Sequence, residues 1–264
     1  MPGHRSAVYL SALLRPLAGT SSNQWPTAVR AHHLTAAEAA SLQQALCEDA
    51  REYYFSAVLS FVEALHGPPQ KLYTWATVKL YYSVFYALRS ILALHGWCVF
   101  YIARPGNKTS CFYIKAASSA TARDGAQSTH KAVLKCFSDN LQHLGLLAPI
   151  GLVSAPDWLM HLREEANYKN SRFYEPEPPP HFEEVSRRGV RKVVAEYLEP
   201  KNDFLAFDPD HAIIAFPLAA LRLAAREFSG HHLHALEEDD IATLLHHCTD
   251  TAGNLDSLLR ALTG

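Results

Sequence analysis

Apolar residues recur with a helical period along most of the chain. The segment from Thr35 opens on Thr35-Ala-Ala-Glu38, in which a hydroxyl and a carboxylate three residues apart satisfy each other's backbone donors. Leu42, Leu46, Tyr53, Ala57, Phe61 and Leu65 then follow at steps of four and seven. This spacing predicts one long helix with a single buried stripe, closed by Gly67-Pro68-Pro69. A second helix is predicted over residues 74–94, where Tyr81, Phe85, Leu88 and Leu92 share a narrow arc and Gly96 supplies the stop. Tyr82, Val84, Ile91 and Leu94 lie outside that arc, so this helix needs cover on more than one side. A homodimer or a hetero-assembly is the expected source of that cover, with the chain's own C-terminal helices as the alternative.

The period then changes. Cys98-Val-Phe-Tyr-Ile102 and Cys111-Phe-Tyr-Ile114 flank Arg104-Pro-Gly-Asn-Lys108, which predicts a β-hairpin. Residues 116–128 are small and polar and are expected to form a mobile loop, followed by a helix over 129–144. Asp157 is placed to cap a helix containing Trp158, Leu159, Leu162 and Ala166 and running to Tyr168. Glu175-Pro-Glu-Pro-Pro-Pro180 is incompatible with a helix and bridges to a further one over 181–198. Helices are also expected over 216–228, 240–248 and 254–262. Residues 1–34, rich in Pro, Gly and polar residues, are expected to form an arm with one short helix. The chain thus divides into an arm (1–34), a helical bundle (35–200) with a hairpin and loop insertion (97–128), and a C-terminal helical extension (201–264). The fold class is all-α.

Composition narrows the possibilities. Of 264 residues 48% are hydrophobic and 19% charged, enough apolar material for a sizeable core. A formal net charge of -2 excludes a broad basic field for holding nucleic acid and leaves room only for a local basic site. The five cysteines lie far apart with no C-x-x-C pair, which argues against a zinc ribbon or a secreted disulfide framework and fits a reducing cytoplasm. The apolar patch at residues 7–14 is short and ends at Arg15-Pro16, so it is not read as a signal peptide. No segment is apolar enough for a membrane span, and no membrane partner is expected.

The run Tyr81-Tyr-Ser-Val-Phe-Tyr-Ala-Leu-Arg-Ser-Ile-Leu-Ala-Leu-His-Gly96 resembles the second helix of HEPN domains. Two segments follow in the family's order. Thr129-His-Lys-Ala-Val-Leu-Lys-Cys-Phe137 is similar to its His-Lys-Gly-x-x-x-x-Phe segment, and Leu162-Arg-Glu-Glu-Ala-Asn-Tyr168 to its Leu-Arg-x-x-Ala-Asp-Tyr segment. The resemblance spans residues 40–200 and implies an up-and-down bundle of four or five helices that commonly dimerises. It also implies a place in a bacterial toxin-antitoxin or phage-defence system. Many HEPN proteins are metal-independent ribonucleases with an Arg-x4-6-His motif. The RNA 2′-hydroxyl attacks its own phosphate, arginine steadies the added charge and histidine moves a proton.

By position the family's active-site arginine corresponds to Arg163, and the ring that follows it is Tyr168, a phenol and a poor base at neutral pH. The literal motif falls instead on Arg89-Ser-Ile-Leu-Ala-Leu-His95. Arg89 and His95 point about 120° apart on a straight helix, and two copies meeting across a two-fold axis can bring them together. Candidate catalytic residues are therefore Arg163, Arg89, His95 and Tyr168.

Candidate nucleic-acid contacts are Arg187, Arg188, Arg191 and Lys192, which form two i,i+4 ridges on one predicted helix, and His130, at the family's His-Lys position. A solvated helix face is the simpler account of the ridges. Gly230-His-His-Leu-His234 with Glu237-Glu-Asp-Asp240 offers ligand types for a transition metal, but its spacing matches no defined ligand set. No metal and no cofactor are expected. Two functions follow: a metal-independent ribonuclease, or a non-catalytic module that binds a nucleotide, nucleic acid or partner protein.

Overall fold

A computed structural model describes residues 4–15, 25–104, 108–126, 128–169 and 171–247, with Leu258 and Leu262. The described chain is mostly helical with two small antiparallel sheets. Thr35 and Glu38 form the expected reciprocal cap, with Thr35 N donating to Glu38 Oε2 (2.7 Å) and Glu38 N to Thr35 Oγ1 (3.2 Å). The helix they start is α3 (Ala36–Leu65), and all six residues of its predicted stripe are buried. The next long helix is α4 (Tyr73–Leu94). Contacts gather the chain into two units, one of Met1–Glu52 and Leu88–His143, the other of Tyr53–Ala87 and Leu144–Gly264. Each draws on segments that the sequence reading places in different parts of the chain.

In the first unit the arm is more structured than its composition suggests, with α1 (Arg5–Leu14) and α2 (Trp25–Ala31). The cause is a distant carboxylate. Asp49, on α3 and 3% exposed, accepts hydrogen bonds from Arg5 N (2.8 Å), Ser6 N (3.0 Å) and Ser6 Oγ (2.5 Å), filling the orphan donors at the start of α1. Leu10 and Leu14 are buried one face along.

The predicted hairpin is β1 (Trp97–Arg104) with β2 (Lys108–Lys115), paired in register from Trp97↔Lys115 to Arg104↔Lys108. Cys98, Phe100 and Ile102 alternate into the core, and Phe100 stacks on Phe112 across the pair. Of the loop expected over residues 116–128, residues 116–126 form a hydrogen-bonded turn. Ser119 N donates to Leu34 O (2.8 Å), Leu34 N to Ala120 O (3.0 Å), and β3 (Arg123–Asp124) pairs with β2. Small side chains there leave the backbone free to bond to its neighbours, which composition alone reads as mobility. Helix α5 (Thr129–Leu141) follows, capped by Ser128.

In the second unit β4 (Pro149–Ile150) and β5 (Val153–Ser154) lead into α6 (Ala155–Glu164). Its cap is Ser154, three residues before the Asp157 expected in that role; Asp157 N donates to Ser154 Oγ (3.3 Å), and that hydroxyl donates to the Asp157 carboxylate (2.5 Å). The proline-rich segment also acts as a cap. The Glu175 carboxylate accepts from Thr74 N (2.8 Å) and Thr74 Oγ1 (2.7 Å) at the start of α4.

The helix expected over 181–198 is broken in two, α7 (Glu183–Arg188) and α8 (Val190–Tyr197), because Gly189 takes φ +85°. Helix α9 (Ala212–Gly230), largely buried, and α10 (Glu238–His247) complete the described elements. The helix expected over 254–262 lies outside the described residues except at Leu258 and Leu262, both helical and buried. No helix among the described residues is long and apolar enough to cross a membrane.

Candidate functional site

Arg163 stands in the last turn of α6 and faces tyrosines from two elements. Its guanidinium carbon lies 5.3 Å from the ring centroid of Tyr168, 5.5 Å from Tyr81 and 5.9 Å from Tyr82. All three lie within cation–π range. Arg163 Nη2 also donates to the Tyr82 hydroxyl (3.4 Å). Tyr81 and Tyr82 are supplied by α4, and Tyr81 is buried with its ring against Phe85.

Tyr168 reaches the cage through a local change of helix type. On an α-helix a residue five positions on points about 140° away. After Glu164, however, residues Glu165–Lys169 form a π-helical turn, whose i→i+5 closure carries Tyr168 back over Arg163. The ring stays 72% exposed, so the cage is open on that side.

The arginine is not neutralised. No carboxylate forms an ion pair with it among the described residues, and the adjacent Glu164 is turned to Lys169 (3.8 Å). Arg163 Nε is buried without a hydrogen-bond partner. A cation held by rings rather than acids keeps its charge for an incoming anion, and its planar fork suits two phosphate oxygens. Burial pushes the Tyr81 phenol far above its ordinary range although Arg163 pulls the other way, so this hydroxyl stays protonated at neutral pH and is no base.

An aromatic surface continues from the cage. Trp75, Lys79, Tyr82 and Tyr86 follow one another at steps of four, three and four on one face of α4. Tyr82 stacks on Tyr86 (6.1 Å), and Trp75, 54% exposed, meets Phe173, 59% exposed, edge-on at 6.5 Å. Sequence reasoning missed Trp75 and Phe173, because the pattern marks which residues are apolar but not which of them stay outside.

The other candidates are dispersed. Arg89 Nη1 lies 3.3 Å from His4 Nε2, which ties it to the start of α1, while His95 follows the end of α4 and is half-buried. His130 is the second residue of α5, whose cap is Ser128. The break at Gly189 divides both basic ridges. Arg187 is held by Glu184 (2.7 Å), Arg188 by Glu196, and Arg191 and Lys192 lie exposed beyond the break. The two continuous ridges expected from the sequence are therefore absent, and Arg187 and Arg188 are ion-paired within the chain.

Burial pushes Cys98 up to about 12 and raises Cys136 and Cys111 as well, which keeps them unreactive. The apolar residues of α4 outside its narrow stripe are covered within the chain. Val84, Ile91 and Leu94 are 2%, 0% and 3% exposed, so the chain itself supplies the cover expected from an assembly, and of the four residues only Tyr82 stays half-exposed.

No protein family's sequence pattern matches the chain, and no curated protein and no solved structure resembles it at a significant level.

Proposed function

We propose that Arg163 and its ring of tyrosines form a binding centre for single-stranded RNA in a HEPN-like module of a bacterial toxin-antitoxin or phage-defence assembly. The guanidinium takes a phosphate, and bases stack on the rings left open around it. One observation carries this reading: a half-buried arginine with three aromatic partners, no ion-paired carboxylate among the described residues and an unpartnered Nε donor. Stacking on exposed aromatics beside a cation is the general mode of single-strand recognition, and it needs no broad basic field. That suits a chain of net charge -2.

The module binds without cleaving, since the rings facing Arg163 are phenols and the buried one is held protonated. The test is incubation of the purified chain, without metal, with a labelled single-stranded RNA, followed by anisotropy and a denaturing gel. The expected result is a complex with intact RNA that Arg163→Ala weakens. Metal-independent cleavage lost in both Arg163→Ala and His95→Ala would instead establish the ribonuclease that the resemblance implies. Equal binding by wild type and Arg163→Ala would remove Arg163 from the function.

A further inference from the structure

A second site lies in the first unit, on the hairpin and its following turn, outside the segments that resemble HEPN domains. Strand pairing puts Trp97 opposite Lys115 and Tyr113 opposite Arg123, so all four side chains share one face of the sheet. Lys115 Nζ lies 5.6 Å and the Arg123 guanidinium carbon 5.9 Å from the Trp97 ring centroid. Neither cation forms an ion pair among the described residues. Asp139 is engaged by Lys135 (2.7 Å) and by the Tyr113 hydroxyl (2.7 Å), and Asp124, beside Arg123 in the chain, by Arg30 (2.9 Å), which leaves two positive charges over.

These cations border an open cavity of about 450 Å³, a size suited to a small ligand. Ser118, Ser119 and Thr121 line its other wall, and none of their hydroxyls has a protein partner among the described residues. No carboxylate among the described residues lines the cavity. The wall is preformed. Ser119, at φ +62°, is pinned to Leu34, and Ala116 N donates to Gly96 O (2.7 Å).

We propose that this cavity binds the phosphoryl group of a small phosphomonoester. Lys115 supplies a point charge, Arg123 a planar fork, and the three hydroxyls the remaining donors. That many donors exceeds what the two oxygens of a carboxylate need and matches the three terminal oxygens of a phosphomonoester. Trp97 keeps the two cations in place while the site is empty, and their movement onto a phosphate alters the surroundings of its indole.

The test is calorimetric titration of the full chain with inorganic phosphate, ribose 5-phosphate, AMP and adenosine, read alongside tryptophan emission. Both sugar phosphates are expected to bind, adenosine at least about tenfold more weakly than AMP, and the emission change is expected to vanish in Trp97→Phe. Inorganic phosphate binding as well as AMP would identify the phosphoryl group as the whole ligand, and weaker binding would add the sugar; both support the site.

Lys115→Gln with Arg123→Gln is expected to lower phosphate and AMP affinity by at least about tenfold with an unchanged circular dichroism spectrum. Ser119→Ala, a milder change, is expected to weaken binding without loss of fold. Adenosine binding as tightly as AMP, unaltered affinity in the double variant, or no phosphate or AMP binding in the millimolar range would overturn the proposal. The Trp97-dependent emission change with ribose 5-phosphate, which carries no base to stack on the Arg163 rings, reads this cavity alone, so failure here is distinguishable from failure of the RNA reading.

Discussion

Removing the Asp49 carboxylate tests how the first unit is held. The wild-type group accepts three hydrogen bonds at 2.5–3.0 Å from Arg5 and Ser6, and two of these donors, Ser6 N and Ser6 Oγ, are buried. Asp49→Asn keeps one acceptor of the same shape but loses the charge. Bonds to a charged group contribute about 1.5–3 kcal/mol against about 1 for a neutral one, so this change costs about 2 kcal/mol. Asp49→Ala leaves the buried donors unmet at about 1–3 kcal/mol each, about 4 in all. Releasing α1 instead is no escape, since it exposes Leu10 and Leu14 at about 1.5–3 kcal/mol apiece.

The expected order is wild type, then Asn, then Ala, with midpoint shifts of about 4–8 °C for the Asn variant. Urea unfolding followed by circular dichroism measures the loss, and hydrogen exchange locates it, with the α1 amides exchanging first. A loss below about 0.5 kcal/mol in Asp49→Ala would refute the view that this carboxylate anchors the arm.

Glu175→Ala is expected to cost about 1–3 kcal/mol by freeing the Thr74 donors, and limited proteolysis should then cut within residues 171–180; resistance equal to wild type would count against that cap. His181 is buried, and burial lowers it from 6.5 to about 4. Below pH 6.5 the unfolded chain takes up a proton that the folded chain refuses, so stability present above pH 6.5 is lost as pH falls towards 4, by about 3 kcal/mol in all. Denaturant midpoints between pH 7 and 4 should show this slope in the wild type and a shallower one in His181→Phe, and parallel slopes would contradict the assignment. Gly189→Ala forces a side chain into φ +85° and should cost about 1–3 kcal/mol; a neutral or stabilising thermal shift would show that the break between α7 and α8 can close.

Features set by neighbours in sequence were readable from it. The Thr35/Glu38 cap, the stripes of α3 and α4 and the hairpin's paired aromatic runs depend on residues a few positions apart. What was not readable depends on distant partners. Residues 5–14 look like an apolar fragment until Asp49 caps them, and 175–180 look like a linker until Glu175 reaches Thr74. Gly189 inside a periodic run reads as a tolerated glycine, yet its positive φ divides the basic ridges.

In the candidate site the Arg163 and Tyr168 pair was visible as a spacing. Tyr81 and Tyr82 were visible only as part of a stripe on another helix, and the π-turn that makes the cage has no local signature. Legibility in each case followed the sequence separation of the groups that make the contact.

The salt dependence of RNA binding tests the Arg163 centre most directly. Affinity for a single-stranded RNA is measured over a series of salt concentrations for wild type, Arg163→Ala and Tyr168→Ala. If Arg163 holds a phosphate, its removal weakens binding and reduces the slope of log K against log salt by about 0.7, the value for one contact to a single strand. Tyr168→Ala weakens binding by about 1–3 kcal/mol through lost stacking and leaves the slope unchanged. A slope unaltered by Arg163→Ala, with affinity equal to wild type at every salt concentration, would contradict the account.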